Sequence, residues 1–174
     1  MLRRPGVKRR FWTTAVICTA IVAGAGTASA QVVLPGGGSA AINKNVFGLG
    51  LFGGPATGIG LSFRHHLPSP LSYQLTGGII NVDERLSYAV GAELQYDLSR
   101  SPASRFYIAG GFGYYYSGPT GSANRMDAPA RAAFGVGGEF IAGAGIHSML
   151  DLLFTYFSDG TVLPLPQLGL YYYF

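Results

Sequence analysis

The chain has 174 residues, 48% of them hydrophobic and 13% aromatic but only 11% charged, where an ordinary soluble domain carries roughly 25% charged residues. That balance excludes charge-driven disorder, and the length fits one domain. The formal charge of +4 would suggest a nucleic-acid surface, yet five of the twelve basic residues, Arg3, Arg4, Lys8, Arg9 and Arg10, stand at the start of the chain ahead of an apolar run.

That order, a basic stretch, an apolar stretch from Phe11 to about Ala25, and Ala28-Ser29-Ala30 before Gln31, is the three-part layout of a secretory signal peptide. Residues 1–30 are expected to be removed after Ala30. The apolar run is interrupted by Thr13, Thr14, Thr19, Gly24 and Gly26 and is shorter than the roughly 20 residues of a spanning helix. Arg9-Arg10-Phe11 lacks the flanks of a twin-arginine signal, and the bulky Ile17 before Cys18 argues against a lipoprotein. Beyond Ala30 seven basic residues face eight acids, a net charge of −1, which removes the case for nucleic acid. No cysteine remains after Cys18, so the exported chain must hold together without disulfides. Residues 31–44 read as a flexible periplasmic lead; Gly36-Gly37-Gly38 is not followed by the Lys-Ser/Thr pair of a phosphate loop.

After Ala30 no apolar stretch is long enough for a spanning helix and none shows sustained three-four spacing. Period-two alternation recurs instead in stretches of about ten residues between turn formers, which is how a transmembrane barrel strand reads. Strands are expected near 45–53, 57–66, 70–81, 85–98, 104–116, 131–142, 145–157 and 165–174. In 85–98 one parity holds Leu86, Tyr88, Val90, Ala92, Leu94, Tyr96 and Leu98, and the other Ser87, Ala89, Gly91, Glu93, Gln95 and Asp97. Stretch 104–116 sets Phe106, Ile108, Phe112, Tyr114 and Tyr116 against Arg105, Tyr107, Ala109, Gly111, Gly113 and Tyr115. With a periplasmic amino terminus, loops 117–130 and 158–164 face the cell surface, and turns 67–69, 99–103 and 143–144 face the periplasm, in keeping with short periplasmic turns and longer outer loops. A soluble sandwich or lipocalin would show charge outside. Here one parity is large and uncharged while the other carries glycines and scattered ions. The expected fold is all-β: a single antiparallel up-and-down transmembrane β-barrel of eight strands over residues 45–174.

Parity sends Arg64, Glu93, Asp97, Arg105, Arg131, Glu139 and Asp151 into the lumen with Gln74, Gln95, His147 and Gln167. Buried ions are tolerated when paired and hydrogen-bonded, so these residues are read as an ion-pair network that plugs and stiffens the barrel. Eight strands leave too little room for a wide pore. A nucleophilic enzyme would need a hydroxyl, a His and an acid in mutual reach. Adjacent His147 and Ser148 point to opposite faces, and His147 and Asp151 are about 13 Å apart along a strand. His65-His66 beside Leu67-Pro68 are read as a solvated turn, not a metal site. Tyr114-Tyr115-Tyr116 and Tyr171-Tyr172-Tyr173, at strand ends, are read as interface anchors.

The last eight residues, Gln167-Leu168-Gly169-Leu170-Tyr171-Tyr172-Tyr173-Phe174, resemble the carboxy-terminal assembly signal of bacterial outer-membrane barrels. The pattern rests on Gln167, Gly169, Tyr172 and Phe174. By size and strand pattern, residues 45–174 are similar to the small eight-stranded outer-membrane barrels, including the transmembrane domain of the outer membrane protein A family. The resemblance implies delivery by periplasmic chaperones, insertion by the barrel assembly machinery, and outer-membrane lipids as neighbours of a monomer. Two departures stand out: no peptidoglycan-binding domain follows the barrel, which argues against a cell-wall tether, and the outer loops are short, which argues against an adhesin. The expected role is structural or surface-interacting in the outer membrane, without catalytic residues, cofactor or metal. A lipid A-modifying enzyme and a narrow channel are the alternatives.

Overall fold

Alternation fixes which side of a strand each residue takes, and in this chain it yields eight strands that close on one another. The computed structural model describes residues 45–174 except positions 83 and 144; the signal peptide expected at 1–30 and the lead expected at 31–44 lie outside the described residues. The strands are β1 (Val46–Gly54), β2 (Gly58–His66), β3 (Leu71–Val82), β4 (Arg85–Arg100), β5 (Ser104–Pro119), β6 (Ala130–Gly143), β7 (Ile146–Phe157) and β8 (Val162–Tyr173). Neighbours in sequence are neighbours in space, every pairing is antiparallel, and β1 joins β8 from Gly48↔Tyr173 to Gly53↔Leu168. Phe174 N–H adds a bond of 3.1 Å to Phe47 O. Closure leaves the barrel without a continuous free edge, the condition for placing strands in hydrocarbon.

The two faces are sorted as in a membrane barrel and opposite to a soluble one. Leu51, Leu61, Ile79, Leu94, Phe134 and Phe154 are exposed on the outside, each by more than 60%, while Arg64, Arg105, Glu139 and Asp151 have no exposed surface at all. A wall of exposed Leu, Ile, Phe and Val has no counterpart on a soluble domain and fits an aliphatic solvent. The chain is thus a transmembrane β-barrel, with strands of 9 to 16 residues, each adequate against the roughly 9–11 that a spanning strand needs.

Strand ends differ from the sequence reading where pairing overrides turn signals. β4 and β5 run to 16 residues each because their ladder continues to Arg85↔Pro119, which shortens the expected loop 117–130 to 120–129. β8 begins at Val162, ahead of the expected 165, and includes Pro164 and Pro166. The prolines are accommodated because β1 covers only Leu168–Tyr173, leaving that side of 162–167 unpaired, and a strand proline belongs on a free edge. In the turn between β7 and β8, Thr161 N–H donates to Asp159 Oδ1 at 2.9 Å, which holds that exposed carboxyl below its usual range. The tyrosine triplets also need correction as interface anchors: Tyr115, Tyr171 and Tyr173 are buried in the lumen. Only the residues sharing parity with Leu168 and Leu170 or with Phe112 point outward, namely Tyr172, Tyr114 and Tyr116.

Two bulges shift register near the end of the barrel where β1 begins and β8 ends, between Asp97 and Ser99 on β4 and between Ile141 and Gly143 on β6. An extra residue reverses parity beyond it. Leu98 is the extra residue on β4, so Arg100 turns to the same side as Asp97 and forms an ion pair with it.

Candidate functional site

Among the described residues the polar chemistry is concentrated in the lumen, and β-parity alone puts it there. Its centre near the terminal end is Glu139 of β6. Glu139 Oε2 accepts from Arg64 Nη1 of β2 at 2.7 Å and from Arg105 Nε and Nη2 of β5 at 3.0 and 2.8 Å. Its other oxygen takes His147 Nδ1 of β7 at 2.8 Å and lies 3.5 Å from His66 Nε2. The guanidinium of Arg105 is fully engaged: Nη1 also reaches Asp97 Oδ1 at 2.8 Å and Ser72 Oγ at 3.1 Å, and Nη2 reaches Gln95 Oε1 at 2.5 Å. Arg64 binds Gln74 Oε1 and lies over the ring of Tyr171 at 4.3 Å, while Arg105 lies over Tyr107 at 4.5 Å. Two cations on one carboxylate, backed by aromatic faces, is the form in which desolvated charge is best tolerated.

A second cluster lies toward the middle of the barrel and holds no ion pair among the described residues. Glu93 is bonded by Thr57 Oγ1 at 3.0 Å, Gln95 Nε2 at 2.7 Å and Gln167 Nε2 at 3.3 Å. Asp151 accepts from Tyr107 OH at 2.7 Å, and its second oxygen is buried without a partner.

Thr57 belongs to the β1–β2 turn, and its presence here is the feature that sequence reasoning missed. The turn Pro55–Thr57 bends into the barrel, where Ala56 and Thr57 are fully buried. Gln167 Oε1 accepts from Thr57 N–H and Oγ1 at 3.0 and 3.1 Å, and Tyr115 OH from Gly58 N–H at 2.9 Å. The tip fits because Gly91 and Gly113 have no side chain: a Cβ at either would collide with the carbonyl of Thr57 or Ala56. The glycine-rich lumen parity of β4 and β5 carried that signal.

The expected network residues therefore divide. Arg64, Gln74, Glu93, Gln95, Asp97, Arg105, Glu139, His147, Asp151 and Gln167 are buried and lie within the two clusters. Arg131 stands apart and is corrected: it is half-buried, binds Pro55 O, and lies 3.9 Å from the Tyr115 ring centroid and 4.9 Å from that of Phe157. Distance along β6 separates it from the lumen acids. His66 is corrected in the other direction. It shares parity with Arg64, is fully buried, and bonds Ser72 Oγ at 2.9 Å and Tyr173 OH at 2.8 Å. His65 alone faces outward, on Tyr73 OH and Asn45 Oδ1.

Ser72, His66 and Glu139 thus stand in the order hydroxyl, imidazole, carboxylate, a set that adjacency in sequence did not suggest. The arrangement has no access: all three are at zero exposure, Ser72 Oγ is also held by Arg105, and Glu139 is saturated by two arginines. A reacting acyl group would have nowhere to sit near the hydroxyl, and a nucleophile needs such a place. Of the assembly pattern, Gln167 faces the lumen while Tyr172 and Phe174 are exposed on the outer face, and Gly169 adjoins the Met149 side chain.

No protein-family model matches this sequence, and no curated protein matches it. Among solved structures, the chain is similar to the Yersinia pestis outer membrane protein Ail in a phospholipid bilayer nanodisc, at 12% identity and a TM-score of 0.43, over 74% of this chain and 97% of that one.

Proposed function

We propose that the protein is a structural or surface-interaction barrel of the bacterial outer membrane, with its termini toward the periplasm and its lumen closed by the polar clusters and the inward β1–β2 turn. The observation that carries this reading is the pair of obstructions in series. Arg64 and Arg105 meet on Glu139 near the terminal end, and Thr57 is bonded to Glu93 and Gln167 deeper in. All of these side chains are buried, which supports a lumen without a path for a hydrated ion and without a reacting group open to solvent. Its neighbours in this reading are outer-membrane lipids, reached through chaperones and the barrel assembly machinery, and it works as a monomer.

Conductance decides the closed lumen. Protein reconstituted in planar bilayers is expected to give no current steps, and regular steps from the unmodified chain would establish the channel reading in its place. Location is tested by membrane fractionation, which should recover a form beginning at Gln31 in the outer membrane; a soluble periplasmic protein would overturn the proposal. Lipid A from cells with and without the gene is expected to be identical, and a changed acylation pattern that disappears with Ser72→Ala would instead make this barrel an enzyme.

A further inference from the structure

The β1–β2 hairpin is too short for the barrel it belongs to. Its strands have nine residues each where β4 and β5 have 16, so the wall is low at this point and high beside it. β2 pairs with β3 only as far as Leu61↔Gly77, whereas β3 continues to Val82 with β4 as its sole partner. A notch results, about 580 Å³ in volume, whose floor at Gly77 and Gly78 has no side chains.

The notch joins the two faces of the sheet. Ile59, Leu61 and Ile79 line it from the lipid-facing parity, and Ile80, Ala89 and Tyr115 from the parity that elsewhere points into the lumen. Ile80 is the telling residue. It follows Ser72, Gln74 and Thr76 on the polar face of β3, yet it is a large aliphatic, and it is 66% exposed. At this height the inward row sets Ile80 beside the hydroxyls of Ser87 and Ser117, and it is the exposed aliphatic surface of Ile80, with Ala89 and Tyr115, that suits hydrocarbon and not water. The level is also defined. Ile79, Tyr88 and Tyr116 are in one cross-strand row, and the two tyrosines stack at 4.9 Å on the outer face, as aromatic residues do where acyl chains give way to headgroups. That row puts the unpaired edge of β3 beside the headgroups and not in the middle of the hydrocarbon, where unpaired backbone would be forbidden.

The rim carries two basic residues, one of them held by its side chain. Arg85 donates through Nη2 and Nε to Ser117 Oγ at 3.1 and 3.3 Å, and Ser117 lines the notch. Arg125 is exposed and its backbone N–H binds Ser117 O at 2.9 Å. Glu84 and Asp127 are exposed nearby in sequence, but Arg85 is the charged residue whose side chain is bonded to the lining, with Arg125 placed beside it by its backbone.

We propose that this notch seats an acyl chain of an anionic membrane lipid, drawn sideways from the bilayer, with the lipid headgroup against Arg85 and Arg125. The proposal rests on the membrane reading above and adds a specific lipid site to it. The bilayer supplies such chains at high concentration, so the site needs no soluble carrier, and its volume is within the roughly 300–1,000 Å³ of ordinary ligand pockets.

The test places a tryptophan reporter at Ile80 and measures quenching by brominated acyl chains, as the difference from the parent protein. Ile80→Trp, with Val82→Trp as a second position should the first fold poorly by heat-modifiable gel mobility, is reconstituted in phosphatidylcholine vesicles. These contain either brominated phosphatidylglycerol or brominated phosphatidylcholine at equal fraction. Phe134→Trp, on the outer wall of β6, is the reference. We expect both lipids to quench Phe134→Trp alike, and brominated phosphatidylglycerol to be preferred at Ile80 by roughly fivefold, a preference abolished by Arg85→Ala with Arg125→Ala. Quenching at Phe134 with none at position 80 would overturn the lipid site and leave the membrane reading intact. Equal quenching by both lipids at position 80 would reduce the notch to ordinary lipid contact and overturn the proposal. No quenching at Phe134 would overturn the membrane reading itself, and the lipid site with it.

Discussion

Glu139 is where this barrel concentrates its risk. Four side chains converge on its two oxygens, so removing a partner strands charge in a place that water does not reach. Arg105→Leu leaves Glu139 and Asp97 short of their shared cation, and a stability loss of about 3–5 kcal/mol is expected, measured by urea unfolding in vesicles. Arg131→Leu removes a cation that binds one carbonyl and two aromatic faces at a half-buried position, and is expected to cost about 1 kcal/mol. Equal losses for the two would mean that the Glu139 cluster is not the keystone of the lumen. The contrast also marks how far sequence reaches at this scale. Parity separates Arg64, Arg105 and Glu139 from the lipid face, but it says nothing about height along the barrel, and height is what divides Arg131 from the acids and Glu93 from the arginines.

At the level of elements, the legible parts were those dictated by period two: eight strands, their faces, and the outward set of β4 and β5. What remained hidden depends on a single residue or on a pairing partner. A strand bulge at Leu98 moves Arg100 onto Asp97, and no local pattern announces it. The β1–β2 turn reads in the sequence as a short glycine-proline connection, although its tip is a lumen component held by Gln167 and Tyr115. Gly91→Val is expected to evict that tip, because the new side chain would occupy the position of Thr57 O. Hydrogen exchange at the Thr57 amide, slow in the parent, should then become fast while the β4–β5 ladder stays protected. Unchanged protection of Thr57 would show that the turn is not wedged there by packing. The last strand carries a separate expectation. Deleting Phe174 should slow insertion in pulse-labelled cells far more than it alters the stability of protein refolded in detergent, if the terminal aromatic is read by the assembly machinery. Equal damage in both settings would make it one more exposed packing residue.

For the molecule as a whole, closure between β1 and β8 joins residues at opposite ends of the described chain, and the lumen repeats the same geometry. His66 bonds Tyr173, Ser62 bonds Tyr171, and Thr57 bonds Gln167, each across more than a hundred positions. Apart from the bond of Gln167 to Glu93, the side-chain hydrogen bonds of β8 therefore run to the first hairpin. Such long-range closure must be met by loop entropy before any reward arrives, so a nascent chain lacking its last dozen residues gains little from the strands already made. The expected kinetic signature is a single slow phase in which ladder formation and burial of Tyr171 and Tyr173 occur together, followed by tyrosine fluorescence and gel mobility on the same samples. A chain that ratcheted inward strand by strand would instead show those two signals separating in time. The joint between first and last strands makes folding a matter of completion: like an arch, this wall bears load only once its final stone is set.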